Sequence, residues 1–294
     1  MPSNTLPSPH ALTIDVEDYY HVSALASAIT PNDWDKWPSR VVNNTQRLLE
    51  LFQKHAVKGT FFILGSVAEK QPQLIRDIAE AGHEVASHGY SHQLVYKQTP
   101  EVFREETRQS KEIIEDLSGQ AVTGYRAASY SITRQSLWAL DILGELGFKW
   151  DSSIFPVYHD RYGIPDSPKS PYNIQTSQGH TLTEYPLTSA ALGNYHLPIA
   201  GGGYFRLFPY PLFKWLFSRA SRQSSSPCMF YLHPWEIDDE QPRVSGISQL
   251  SKFRHYNNLD KCEQRLEKML EDFPFSTVKN SLPANTNSLP YFQF

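Results

Sequence analysis

Short apolar runs alternate along this chain with longer stretches in which apolar residues recur every three or four positions. Ala11-Leu12-Thr13-Ile14 reads as a short buried strand that runs straight into Asp15-Val16-Glu17-Asp18. Val41, Thr45, Leu48, Leu49, Phe52 and Ala56 then recur at helical spacing, with Ser39 as a candidate cap and Gly59 as the stop. Thr60-Phe61-Phe62-Ile63-Leu64 has the length and composition of a strand. Pro72 opens a helix with Leu74, Ile75, Ile78 and Ala79 on one face and Gly82 at its end. The alternation repeats with strands at 83–87, 121–125 and 148–151 and helices at 99–117 and 135–147. Strands alternating with helices predict parallel βαβ units, and at least five such strands precede residue 151. An α/β barrel or a doubly wound sheet both suit this count.

From 152 to 210 the rhythm fails among Pro, Tyr and Ser, and residues 155–210 read as a loop- and strand-rich insertion at one rim. A helix at 212–220, a Ser-rich loop at 221–227 and a strand at 228–232 restore it. Cys262, Leu266, Met269, Leu270 and Phe273 then form the apolar face of a last helix, ahead of a final strand at 275–278. The expected organisation is a flexible leader (1–9), a single domain (10–278, with 236–278 as a C-terminal extension) and a mobile tail (279–294).

Charge and cysteine content narrow the function. With 27 Lys and Arg against 31 Asp and Glu, the net charge of −4 argues against a nucleic-acid partner. Cys228 and Cys262 are too few for a disulfide framework or a thiolate zinc site, and both read as reduced core residues. Neither a basic, apolar leader nor an apolar stretch of membrane-spanning length is seen, so a cytoplasmic protein without an integral membrane segment is expected.

In parallel βα folds, functional groups collect at the carboxyl ends of the strands. The polar residues ending the predicted strands are Asp15, Glu17 and Asp18, then His88 and His92, Arg126, Asp151, and His233. His88 and His92, four apart, are able to face one cation, and the acidic cluster offers a third ligand for a two-histidine, one-carboxylate set. Three carboxylates within four positions after an apolar strand are costly unless a cation or an arginine lies close. Gly201-Gly202-Gly203 lacks the Lys-Ser/Thr of a phosphate loop, and reads instead as close backbone approach to a ligand or as turns.

Taken in order, Leu12-Thr13-Ile14-Asp15, Gly82-His83-Glu84-Val85-Ala86-Ser87-His88 with His92, Tyr125-Arg126-Ala127-Ala128-Ser129, Trp150-Asp151-Ser152-Ser153 and Leu232-His233-Pro234 resemble the polysaccharide deacetylases, the NodB-homology carbohydrate esterases of family 4. Asp15-Val16-Glu17-Asp18-Tyr19-Tyr20, Gly201-Gly202-Gly203-Tyr204-Phe205-Arg206 and His233-Pro234-Trp235-Glu236 resemble the branch linked to bacterial exopolysaccharide and exosortase loci. The resemblance implies a distorted (β/α) barrel and metal-dependent N-deacetylation of N-acetylhexosamine units in an exopolysaccharide or its precursor. It implies a divalent metal, zinc foremost with cobalt or another cation as alternatives. The implied partners are an N-acetylated oligo- or polysaccharide and the exopolysaccharide synthesis machinery.

Residue by residue, the resemblance makes Asp15 the catalytic base, Arg126 its orienting cation, His233 the general acid and Asp151 the carboxylate holding that histidine. His88 and His92 match metal ligands, the Ser129 N–H an oxyanion donor, and Tyr130, Tyr204 and Trp235 join it as substrate contacts. Two departures stand out. The usual adjacent Asp-Asp pair is absent, so the acidic ligand moves to Glu17, which shares a strand face with Asp15, or to Asp18 if the chain has turned. Ala127-Ala128 replaces a common proline, which leaves the oxyanion loop less rigid by sequence. An amidohydrolase acting on small C–N compounds, as in the allantoinase-like branch, and a non-catalytic glycan-binding protein remain as alternative readings.

Overall fold

The computed structural model describes residues 8–159, 161–193, 195–224 and 226–294, so most of the expected leader lies outside the described residues. Strand β1 (His10–Val16) is buried along its whole length. Helix α1 (Val41–Lys54) lays Leu48, Leu49 and Phe52 inward and ends before the expected Gly59 stop. Then come β2 (Thr60–Ile63), α2 (Gly65–Lys70), α3 (Pro72–Glu80) and β3 (Glu84–Ser87). The short α2 was not foreseen, because six residues carry too little periodicity to announce a helix. Helix α4 (Pro100–Ser118) starts where the sequence places it: the Thr99 hydroxyl accepts from the Val102 N–H at 3.3 Å and Pro100 sits at the first turn. The first half closes with β4 (Gly124–Tyr125), α5 (Trp138–Glu145) and β5 (Trp150–Asp151).

The second half departs further from expectation. Within 155–210, β6 (Tyr172–Gln175) and β7 (Thr181–Glu184) extend the main sheet: β7 pairs in parallel with β5 and β6 pairs antiparallel with β7. Only β8 (Ser189–Leu192) and β9 (Tyr195–Pro198) stand apart, as a two-stranded sheet. The sequence rhythm fails here because β6 and β7 are four-residue strands joined as a hairpin, with no crossover helix to mark them. After α6 (Gly202–Leu207), α7 (Tyr210–Gln223) runs into the expected serine loop before β10 (Met229–Leu232). The chain ends with α8 (Gln249–Tyr256), α9 (Cys262–Asp272), β11 (Phe275–Ser276), α10 (Val278–Ser281) and β12 (Tyr291–Phe292). The mobile tail is a further correction, since β12 pairs with β6 and Phe292 and Phe294 pack edge-on against Tyr172. Two half-buried apolar rings packed against a tyrosine give the chain end a reason to stay.

Strand order is β10-β1-β2-β3-β4-β5-β7-β6-β12, with β11 also paired to β1. This is a mixed α/β fold around a mostly parallel sheet; among the described residues no ladder joins β12 back to β10, in keeping with a distorted barrel. Covered on both faces, such strands read as continuous apolar runs. Both cysteines are free and buried, and no described helix is long and apolar enough to cross a membrane.

The register determines which strand ends meet. Ile14 pairs with Leu232, so the next residues, Asp15 and His233, emerge side by side. Ile63 pairs with Ser87 and Ser87 with Tyr125, which brings His88 and Arg126 out at the same edge.

Candidate active site

Arg126 is completely buried and anchors the floor of the site. Its Nη1 donates to Asp15 Oδ1 at 2.6 Å and to Thr13 Oγ1 at 3.0 Å, and its Nη2 donates to Ser152 Oγ at 3.1 Å. The guanidinium lies 3.9 Å above the Phe62 ring, a stacking that partly compensates its burial. Asp15 is thus held by a charge-assisted bond at the end of β1, with its second oxygen 4.0 Å from His233 Nε2.

Glu17, His88 and His92 converge on one point, each offering a ligand atom within 4.8 Å of the others. The His88 Nδ1–H donates to the Arg126 carbonyl at 2.8 Å, which leaves its Nε2 lone pair free to face a cation. Burial, ahead of the influence of neighbouring charges, lowers the His88 pKa and keeps the ring neutral, the form that ligates. Glu17 Oε2 is buried without a well-formed hydrogen bond and faces His92 Nε2 at 2.8 Å. Burial acts to raise the Glu17 pKa, but His92 and His233 outweigh it and hold the carboxyl well below its usual range. A buried anion with an unsatisfied oxygen beside two imidazole nitrogens fits a divalent cation in a two-histidine, one-carboxylate set.

Of the two acidic candidates, the structure brings Glu17 to the histidines and turns Asp18 away. Asp18 accepts from Ser39 Oγ at 2.6 Å, the Arg40 N–H at 2.8 Å and Tyr20 Oη at 3.0 Å, and so ties the following loop together. That turn also delivers His21, which the sequence reading missed. Its ring lies 5.5 Å from that of His92, and its Nδ1 accepts the Asp18 N–H at 2.9 Å. Burial, then His92, pushes the His21 pKa down to about 3, so this ring packs as a neutral wall.

His233 is held by a different carboxylate from the one expected. Its Nδ1 donates to Glu236 Oε1 and its Nε2 to Glu17 Oε1, each at 2.8 Å. Burial opposes its charge, yet Glu17 and Glu236 push the pKa up to about 10, so the ring is an imidazolium. Glu236 is aimed by a short 3₁₀ turn after Pro234, and the same oxygen accepts the His233 N–H. A carboxylate three residues beyond a histidine, across a proline turn, was the available sequence signal. Arg206, 2% exposed, donates from Nε to the other Glu236 oxygen at 2.8 Å. Gly202 makes this pairing geometrically feasible: a Cβ there would lie 2.1 Å from both carboxylate oxygens, and one on Gly201 would strike the Tyr231 ring. The first two glycines of the run therefore serve close approach to the protein's own side chains, while a Cβ on Gly203 would meet nothing within 4 Å.

Asp151 does not hold His233. Its Oδ1 accepts from Ser153 Oγ at 2.6 Å, and Ser153 Oγ in turn accepts the Ala127 N–H at 2.8 Å. Asp151 thereby braces the loop that carries Ser129. Ser131 Oγ adds to this by accepting the Val95 N–H and donating to the Ala128 carbonyl. The loop expected to be loose is pinned by hydroxyls in place of a proline. Ser129 and Tyr130 both adopt left-handed backbone, with φ of 51° and 54°, a conformation costing non-glycine residues about 1–2 kcal/mol each.

These residues line a cavity of about 430 Å³ whose walls include Asp15, Glu17, His88, Ser129, Tyr130 and His233. Two expected substrate contacts lie elsewhere. Trp235 is 3% exposed and stacked between His233 and His255, so its faces are already used. Tyr204 lines a neighbouring, larger cavity.

Residues 28–149 match the family described as Polysaccharide deacetylase. This part of the chain is similar to the polysaccharide deacetylases. Residues 152–283 match a family described as Domain of unknown function (DUF3473), so Glu17 and Asp15 precede the first match while His233 and Glu236 fall in the second. The chain is similar to a peptidoglycan deacetylase of Helicobacter pylori, 36% identical over 40% of this chain and 40% of that protein. It is also similar to a peptidoglycan-N-acetylglucosamine deacetylase of Bacillus cereus (35%, over 33% and 36%) and a chitooligosaccharide deacetylase of a Bradyrhizobium strain (31%, over 34% and 43%). The chain spans about two fifths of the length of these relatives.

Solved structures share the fold. One from Mycobacterium smegmatis, assigned to the polysaccharide deacetylases, has a TM-score of 0.59 at 20% identity, covering 92% of this chain and 88% of that one. A carbohydrate esterase family 4 pseudoenzyme from Bacillus anthracis has a TM-score of 0.51 at 14% identity, covering 98% and 70%. A fold that also serves a pseudoenzyme leaves activity to be argued from the site.

Proposed function

We propose that this protein removes acetyl groups from N-acetylhexosamine units of a bacterial exopolysaccharide or its precursor, using one divalent cation, zinc foremost. The observation carrying the reading is the convergence of Glu17, His88 and His92 beside both the Asp15–Arg126 pair and the His233–Glu236 pair. The peptidoglycan and chitooligosaccharide deacetylases among its relatives support the reaction type.

A cation held by Glu17, His88 and His92 supplies Lewis acidity toward the acetamide oxygen. Asp15 accepts the proton of the attacking water, and Arg126 holds that carboxylate in place at the pocket. The Ser129 backbone, held in a left-handed turn by the Ser153 and Ser131 hydroxyls, lines the pocket as the oxyanion contact. His233 carries the proton that the departing amine requires, and Glu236 sets the direction of its ring. Exclusion of water comes from His21, Tyr130 and Tyr231, which wall the site with aromatic rings.

The test is acetate release from an N-acetylated glycan by chelator-treated protein before and after zinc or cobalt is restored, together with metal content of wild type and His88→Ala. Loss on chelation with recovery on add-back, and no bound metal in His88→Ala, is the expected result. Undiminished release from fully stripped protein overturns it.

A further inference from the structure

Beside the site pocket lies a second cavity of about 830 Å³, and the two share His159, Tyr162 and Arg254 in their walls. The site pocket alone has the size of a single-ligand site (~300–1,000 Å³), so the second cavity is room for more of the same molecule. Its walls are aromatic: Tyr158 and Tyr195 are 92% and 82% exposed, and Tyr204 and Phe253 join them. Scattered exposed rings need no explanation, but several around one cavity form a surface on which the C–H faces of sugar rings stack.

The charge around this cavity is one-sided. Lys169 and Arg254 line it, and Arg161 lines the adjoining site pocket. None of the three makes an ion pair with an acidic side chain among the described residues, and no described residue lining the larger cavity is Asp or Glu. In a chain of net charge −4, three cations gather along one groove whose larger cavity is lined by no acidic side chain among the described residues. A neutral glycan would be served by the rings alone; unpaired cations beside them call for carboxylates on the ligand.

We infer that this groove binds the carboxylate-bearing sugars of an anionic glycan whose acetamido unit occupies the site pocket. Every residue named for the groove lies within 152–283, so the inference gives that half of the chain a recognition role. It deepens, and for its acetamido unit rests on, the deacetylase reading.

Binding to the full-length protein is measured by calorimetry with three probes at low and high salt. Hexagalacturonate carries carboxylates and no acetamide, a glycan of N-acetylglucosamine alternating with muramic acid carries both, and chitohexaose carries acetamides alone. The expected result is tighter, salt-sensitive binding of at least one carboxylate-bearing probe over chitohexaose. The preferred one tells uronate from lactyl-ether carboxylates. In Lys169→Gln/Arg254→Gln that preference falls about tenfold, as two exposed charge contacts allow. Tyr158→Ala weakens all probes that reach the groove. Equal binding of all three, or an unchanged preference in the double variant, overturns the inference. Because hexagalacturonate has nothing to deacetylate, its binding reads the groove even if no acetate is released from either acetamide-bearing probe, which is the outcome that would sink the deacetylase reading instead.

Discussion

Two buried arginines, one from each half of the chain, do related work by different means. Arg126 spends its donors on side chains at the ends of neighbouring strands: Asp15 and Thr13 on β1, and Ser152 just past β5. Arg206 pairs with Glu236 and otherwise donates to backbone carbonyls, those of His255 at 2.9 Å, Asn257 at 2.7 Å and Arg254 at 3.2 Å. The first pair positions a carboxylate that faces the pocket. The second fastens the 254–257 segment and fixes a histidine through its carboxylate. Side-chain partners leave a trace in sequence motifs, whereas backbone partners leave none.

The sharpest test of this contrast is Asp15→Asn, which keeps the shape of the first pair and removes the base. Acetate release should fall by about 10²–10⁴-fold with bound metal retained, read by elemental analysis beside a kinetic assay. Next in size is Arg206→Gln, which leaves Glu236 buried without its cation. Urea unfolding should show a loss of about 3–5 kcal/mol, and a loss much below 1 kcal/mol would show that the second pair does not fasten the structure. Glu236→Gln preserves volume but withdraws the charge that aims His233. A fall in kcat of about 10–100-fold with KM little changed is expected, and Asp151→Asn should not reproduce it. If Asp151→Asn alone lowers kcat, the assignment of Glu236 as the orienting carboxylate is wrong.

The smallest expected effect concerns the buried carboxylate pair Asp151 and Glu184, one from each half. Burial pushes Asp151 up to about 6 against the lowering effect of its hydrogen bond with Glu184, and burial together with the Asp151 charge raises Glu184 well above its usual range. With folded-state pKa values above the unfolded ones, the folded protein binds the extra protons more tightly. Stability from this pair is therefore full below about pH 4 and declines as pH rises through about 6. Glu184→Gln should raise Tm at pH 8 by on the order of 5 °C and do little at pH 4. An equal shift at both values would show that packing, not charge, is responsible.

Much of the first half could be read from its periodicity. Continuous apolar runs ending in polar residues located β1 and β10 because strands buried on both faces admit few other patterns, and Thr99-Pro100 started α4 where a hydroxyl cap and a proline belong. The β6–β7 hairpin and the paired chain end were not legible, since four-residue strands and a two-residue strand carry almost no periodic signal. At the site, residue types placed Asp15, Arg126, His88 and His92 among the candidates, but spacing could not choose between Glu17 and Asp18. One residue of chain rotation separates a group facing the histidines from one capping a loop.

By itself, then, the sequence determined which chemical groups stand at strand ends, because burial of parallel strands and the cost of crowded carboxylates are local matters. Which carboxylate meets which imidazole was decided only in three dimensions, by sheet register and by the close approach of Gly202. Electrostatic partners are selected by distances of a few ångströms between segments far apart in the chain, and linear spacing does not encode those distances.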